Sequence, residues 1–178
     1  MKTRFADFKK ERDGLLKQAR ISELEGSLYA ALSKPNSIKL ASAEIDSKDS
    51  VKSLILVDCA LRIVCQGKTV TVSAQSNNGK QLLPYLRANV QSCDATLTDT
   101  SLTLVYKGGS NDIDEASKLV ADNAFSALRT CINSIKSTTE NPFSVFLGGV
   151  FAYDMVANFE QLSDVPDGEN TCPDYVFY

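Results

Sequence analysis

The chain has 178 residues, 43% hydrophobic and 23% charged, a composition typical of a soluble globular protein and a length sufficient for one ordinary domain with a core that needs no disulfides. It contains no histidine, which excludes Ser-His-Asp and Cys-His nucleophile activation, histidine acid–base chemistry and imidazole-bearing zinc sites within it. Nineteen basic against 22 acidic residues give a formal charge of −3, a balance that implies no nucleic-acid partner.

Charge is uneven along the chain. Residues 1 to 34 hold eight Lys/Arg and five Asp/Glu, while 35 to 178 hold eleven and seventeen. In the basic head the cations alternate with Asp7, Glu11, Asp13, Glu23 and Glu25, the pattern of a solvated helix rather than a nucleic-acid arm. Phe5, Phe8, Leu15, Leu16 and Ala19, then Leu24, Leu28, Tyr29 and Leu32 after the Ser22/Glu25 capping pattern, predict two short helices. Lys34-Pro35-Asn36 ends them, because proline cannot continue a helix.

The period then changes to two: Ile38, Leu40 and Ser42 share one face of a predicted strand, with Lys39, Ala41 and Ala43 on the other. Ser53 to Cys65 predicts two short strands or one bent strand. Gln66-Gly67-Lys68 is a turn, and Thr69 to Val72 completes a hairpin. A helix is expected over Asn77 to Val90, kinked or shortened by Pro84. Leu102, Leu104 and Tyr106 mark another strand. The longest helix is expected after Asp112/Glu115, with Ile113, Ala116, Val120, Ala124, Leu128, Ile132 and Ile135 as its apolar face. Phe143 to Val150 reads as an apolar strand in which Gly148-Gly149 marks a bulge or a close backbone approach. A short helix near Tyr153 to Phe159, a polar loop over 163–171 and a strand from Asp174 to Tyr178 close the series. Without regular βαβ alternation, this order predicts an α+β fold with a largely antiparallel sheet.

Five cysteines, an odd number with no CxxC pair, read as buried reduced thiols. No signal peptide or transmembrane segment is expected, since the most apolar stretch, Leu54 to Cys65, is short and broken by Asp58 and Arg62; the expected location is the cytoplasm. The carboxylate groups at Asp46/Asp49, Asp112/Asp114/Glu115 and Asp164/Asp167/Glu169 fall in loops or helix starts, where acidic residues are solvated or complement the helix dipole. None has EF-hand spacing, and no glycine-rich phosphate loop is present. The residues themselves present no catalytic constellation.

Three segments carry a resemblance. Ser42 to Asp58 (SAEIDSKDSVKSLILVD), Gly148 to Glu160 (GGVFAYDMVANFE) and Cys172 to Tyr178 (CPDYVFY) resemble the N-terminal region of anthranilate synthase component I, the large subunit that converts chorismate to anthranilate in tryptophan biosynthesis. The likeness runs from about Ser37 to Tyr178. It divides the chain into a basic helical head, 1–34, with no counterpart, and a domain over 35–178 that ends where the family's catalytic portion begins. The Gly-Gly-x-x-x-Tyr-Asp pattern is shared with aminodeoxychorismate and isochorismate synthases, whereas the SAEIDSK run favours anthranilate synthase.

The resemblance implies half of a β-sandwich with packed helices, as in the N-terminal part of chorismate-utilising synthases. It implies no catalytic residue in this chain: the catalytic histidine and the carboxylates that bind Mg2+ belong to the portion that follows in the family. Expected partners are the remainder of a synthase chain or a glutamine amidotransferase subunit. Self-association through an unpartnered apolar C-terminal strand is also expected.

The family's tryptophan feedback pocket uses a Leu-Leu-Glu-Ser strand followed by a lysine, which places Leu40, Ser42 and Lys52 in effector binding. Lys39 replaces a leucine and Ala41 stands at the glutamate. Loss of that carboxylate removes a charge-assisted hydrogen bond of about 1.5 to 3 kcal/mol, a weakening of roughly tenfold or more. Two other roles fit the same residues: a stand-alone module that binds an aromatic amino acid, or an inactive structural remnant.

Overall fold

A computed structural model describes residues 26–41 apart from 28, 53–107, 117, 121–136, 145–158 and 172–178. The chain divides into two compact units, Met1–Val57 and Asp58–Tyr178. In the first, helical turns over 29–32 stop at Pro35, and Asn36 takes a φ of 63°, a left-handed conformation that asparagine tolerates better than most residues. The redirected chain forms β1 (Ile38–Ala41), which pairs antiparallel with β2 (Ser53–Leu56).

The second unit is a six-stranded, wholly antiparallel sheet. Its strands are β3 (Leu61–Gln66), β4 (Thr69–Ala74), β5 (Cys93–Leu97), β6 (Ser101–Tyr106), β7 (Gly149–Phe151) and β8 (Tyr175–Phe177), in the spatial order β5-β6-β4-β3-β8-β7. The expected β3–β4 hairpin turns at Gly67, where φ is 56°. Alternation decides which face is buried: Leu61, Ile63 and Cys65, Val70 and Val72, and Leu102, Leu104 and Tyr106 all point into the core. Two helices cover that face. Helix α1 (Asn77–Asn89) begins at Ser76, whose hydroxyl accepts from the Gly79 amide at 3.2 Å, and it buries Leu83 and Leu86. Helix α2 (Ala124–Ser134) buries Ala124, Ala127, Leu128 and Cys131, the i, i+3, i+4, i+7 spacing of one helix face.

Several expectations are corrected. Helix α1 runs on through Pro84 for 13 residues and is longer than α2; burial of Leu83 and Leu86 on either side outweighs the backbone hydrogen bond that proline removes. The long helix predicted after Asp112 is not continuous, because 121–123 are non-helical and α2 starts afresh at Asn123. There the Asn123 side-chain Oδ1 accepts from Phe125 N at 2.9 Å, while Ser126 Oγ accepts from Asn123 N at 3.2 Å. The restart rotates the buried stripe, so Ile132 is 58% exposed. Residues 112–116 lie outside the described ones. Strand β5 was not predicted at all.

The C-terminal strand has neighbours. β8 is hydrogen-bonded to β3 on one side and β7 on the other, and Tyr175 is fully buried. β7 instead forms the end of the sheet, with Val150 and Phe151 exposed. The expected close approach at the glycine pair is present: a Cβ on Gly149 would overlap the Val176 carbonyl oxygen and stand 2.7 Å from Phe177 Cα. Of the five thiols, all free, Cys65 and Cys131 are buried, Cys59 and Cys93 half-buried and Cys172 exposed, so burial holds fully for two. Among the described residues no helix is long and apolar enough to cross a membrane.

Candidate functional site

The residues expected to bind an effector belong to the β1–β2 hairpin. Its register sets Ile38 opposite Leu56 and Leu40 opposite Leu54, so these four apolar residues share one face; Lys39 opposite Ile55 and Ala41 opposite Ser53 take the other. Leu40 is 37% exposed, open enough to meet a ligand. Ser42 and Lys52 lie outside the described residues, as does the side chain of Ala41. Of the three expected effector residues the structure therefore describes one, Leu40.

It adds a residue that sequence reasoning missed. Lys39 Nζ donates to Tyr29 Oη at 3.0 Å and sits 4.8 Å from the centre of the Tyr29 ring. A lysine where the resemblance expects leucine was the available signal. Both side chains are exposed, and a cation over an exposed aromatic ring contributes only about 0.5–1 kcal/mol. The pair adds a positive charge and an aromatic face to the hairpin's described surface.

Among the described residues of the six-stranded unit several chemically capable groups are committed to structure. Tyr175 Oη donates to the Ala124 carbonyl at 2.8 Å, fastening β8 to the start of α2. Its ring packs with those of Phe151, Phe177 and Phe125 at centroid distances of 5.8 to 6.2 Å. The Asp174 carboxylate accepts from the Gly67 amide at 2.6 Å and so ties the β3–β4 turn to the start of β8. Burial, reinforced by the Asp174 carboxylate, pushes the Cys65 thiol up to about 12, and burial pushes Cys131 up to about 11. A thiol that ionises so high is not a nucleophile near neutral pH. Tyr106 Oη is buried without a hydrogen-bond partner of good geometry, although the Cys93 thiol lies beside it; burial raises both groups.

The carboxylate groups at Asp46/Asp49, Asp112/Asp114/Glu115 and Asp164/Asp167/Glu169 lie outside the described residues. Tyr153 opens the short 3-10 helix Tyr153–Asn158 and is 92% exposed, and the Asp154 side chain is outside the described residues. Mg2+ takes six oxygen ligands, usually one or two carboxylates and several waters, and three of the described carboxylates already have protein partners. Asp174 is engaged by a backbone amide, Asp122 by Ser126 Oγ at 2.9 Å, and Asp94 by Lys107 at 3.8 Å. Among the described residues no three His, Cys, Asp or Glu converge.

No family model matches the chain. Curated proteins do. The chain is 47% identical over 146 residues to anthranilate synthase component 1 of Vibrio parahaemolyticus, an alignment covering 82% of this chain and 27% of that protein. Against the Vibrio cholerae protein of the same name it is 44% identical over 155 residues, 85% of this chain and 29% of the relative. The Escherichia coli protein is 40% identical over 146 residues, again 82% of this chain and 28% of the relative. The resemblance to anthranilate synthase component I is thus borne out across most of this chain, which spans less than a third of the length of these relatives.

Proposed function

We propose that this chain supplies the N-terminal, non-catalytic part of an anthranilate synthase component I, acting in tryptophan biosynthesis as scaffold and as one wall of an effector pocket, with no turnover of its own. The observation that carries the reading is the similarity itself: 40 to 47% identity over 82 to 85% of this chain but only 27 to 29% of each relative. The structural engagement of Tyr175, Asp174, Cys65 and Cys131 in the six-stranded unit agrees with a scaffold role. In this reading the parent enzyme's Mg2+ and chorismate are held elsewhere, and an amidotransferase subunit or the remainder of a synthase chain is the partner.

Leu40, Ser42 and Lys52 contribute the effector wall. Leu40 offers apolar contact to an aromatic side chain, Ser42 a hydroxyl and Lys52 a cation for the effector's carboxylate. Ala41 offers nothing to its ammonium group. Calorimetric titration with tryptophan tests the wall. Ala41→Glu is expected to tighten binding by roughly tenfold or more, the value of one charge-assisted hydrogen bond. An Ala41→Glu chain that binds no better than the parent contradicts the assignment.

A further inference from the structure

Among the described residues one buried side-chain oxygen or nitrogen lacks a hydrogen-bond partner, Tyr106 Oη. The residue is 1% exposed, and a polar group left unpaired at that depth is costly. A thiol lies beside it. Cys93 opens β5 directly opposite Tyr106 on β6, so both side chains leave the same face of the sheet, the one that carries the core. The sulfur of a thiol is a weak acceptor, and its proximity leaves the hydroxyl unsatisfied.

Cys93 is set apart from the fully buried Cys65 and Cys131 by an approach from solvent. β5 is the outer strand of the sheet, Gln91 and Ser92 before it are exposed, and Cys93 itself is half-buried. Ser92 takes a left-handed φ of 59°, which turns the chain into the strand at this point. The thiol also has support toward its anion. Burial raises its pKa most, and Asp122 and Asp94 add to that, but the Tyr106 hydroxyl and the Arg87 guanidinium act in the opposite direction. Cys65 and Cys131 are held up by burial, in Cys65 with the Asp174 carboxylate reinforcing it.

We infer that Cys93 is an oxidation site for a small hydroperoxide, where the sulfenic acid is retained because its oxygen is the acceptor that Tyr106 Oη lacks. The Cys93 thiolate attacks one oxygen of the peroxide: the S–O bond forms, the O–O bond breaks, and the sulfur is oxidised by two electrons as the peroxide is reduced. The departing hydroxide takes up the proton released by the thiol and leaves as water. A half-buried thiol forms its anion sparingly, so the site is one of retention and not of speed. Held by the Tyr106 hydroxyl, the sulfenic oxygen draws electron density from sulfur, which slows the second oxidation to sulfinic acid. The inference does not depend on the synthase reading.

Hydrogen peroxide added to the full 178-residue chain tests it. Samples taken over time are unfolded in guanidinium chloride with a 1,3-dione, which traps sulfenic acid at every cysteine alike, and are read by peptide mass spectrometry. A dione adduct at Cys93 that builds up and persists is expected, while exposed Cys172 passes on to sulfinic acid or a disulfide over the same period. Tyr106→Phe keeps the ring in the core and removes an unpaired hydroxyl, so it is expected to fold with at least the parent's stability. Its Cys93 sulfenic acid is expected to be lost about fivefold faster, the worth of one hydrogen bond. The comparison of Cys93 with Cys172 in the parent chain stands alone if that variant fails to fold. No adduct at Cys93 at any time, Cys93 found from the outset as sulfinic acid or disulfide, or a folded Tyr106→Phe chain that keeps the adduct as long as the parent would overturn the inference.

Discussion

The β1–β2 hairpin and the six-stranded sheet are both antiparallel, but they hold their structure by different means. Among the described residues of the first unit none is fully buried; even the apolar face of Ile38, Leu40, Leu54 and Leu56 is half-buried or exposed. The second unit contains the whole described core, sixteen buried apolar residues between Leu61 and Tyr175. An isolated two-stranded hairpin is marginal in water, whereas a sheet of six strands under two helices is not. Of the proposed effector residues, Leu40 lies among described residues with no fully buried member, while the described core lies in the second unit.

The contrast breaks first at Tyr175. Tyr175→Ala removes a fully buried ring and the hydroxyl that holds the Ala124 carbonyl, a loss of about 3–5 kcal/mol, and is expected to unfold the six-stranded unit at or near room temperature. Near-ultraviolet circular dichroism with a thermal melt reads this directly, and a variant that melts within a few degrees of the parent would refute the central place given to β8.

A smaller effect comes from two glycines of opposite expectation. A Cβ on Gly79 would overlap the Ala60 carbonyl oxygen, a backbone atom that cannot swing aside, so Gly79→Ala is expected to destabilise by about 1–3 kcal/mol. Gly26 is helical with nothing within 4 Å, so Gly26→Ala should stabilise its helix by up to about 1 kcal/mol. Urea melts of the two variants should shift in opposite directions. Equal shifts of one sign would mean that packing does not separate the units.

The smallest effect is on pH. Cys65 and Cys131 ionise near 9 when unfolded and at about 12 and about 11 when folded. A group whose folded value is raised stabilises fully below its unfolded value and ceases to do so as pH rises through the folded one. The six-stranded unit's stability from these thiols should therefore be flat to about pH 9 and lost between there and about 12. At pH 8 a thiol reagent should label exposed Cys172 quickly and reach Cys65 and Cys131 only on unfolding. Prompt labelling of all three would contradict their burial.

Much of this architecture was legible where local chemistry dictates it. Pro35-Asn36 turns the chain, Gly67 makes a hairpin, and alternation marks β3, β4 and β6. What escaped depends on partners that a residue's own pattern does not reveal. β5 reads Cys-Asp-Ala-Thr-Leu, poor in strand-forming residues, and is held in place by pairing with β6. The break before α2 is invisible in an apolar repeat that runs through it, because Asn123 and Ser126 look like helix interior until their capping bonds are known. The insertion of β8 between β3 and β7 joins residues more than a hundred positions apart, which no periodicity encodes. Of the candidate site, Leu40 was legible as a strand residue, while the Tyr29–Lys39 contact needed coordinates.

The role proposed for this chain is that of scaffold and effector wall without catalysis. Incubating the 178-residue chain with chorismate, Mg2+ and ammonia and following anthranilate fluorescence tests it most directly. The account predicts no product above the enzyme-free rate. Sustained anthranilate formation that scales with the amount of chain would contradict it.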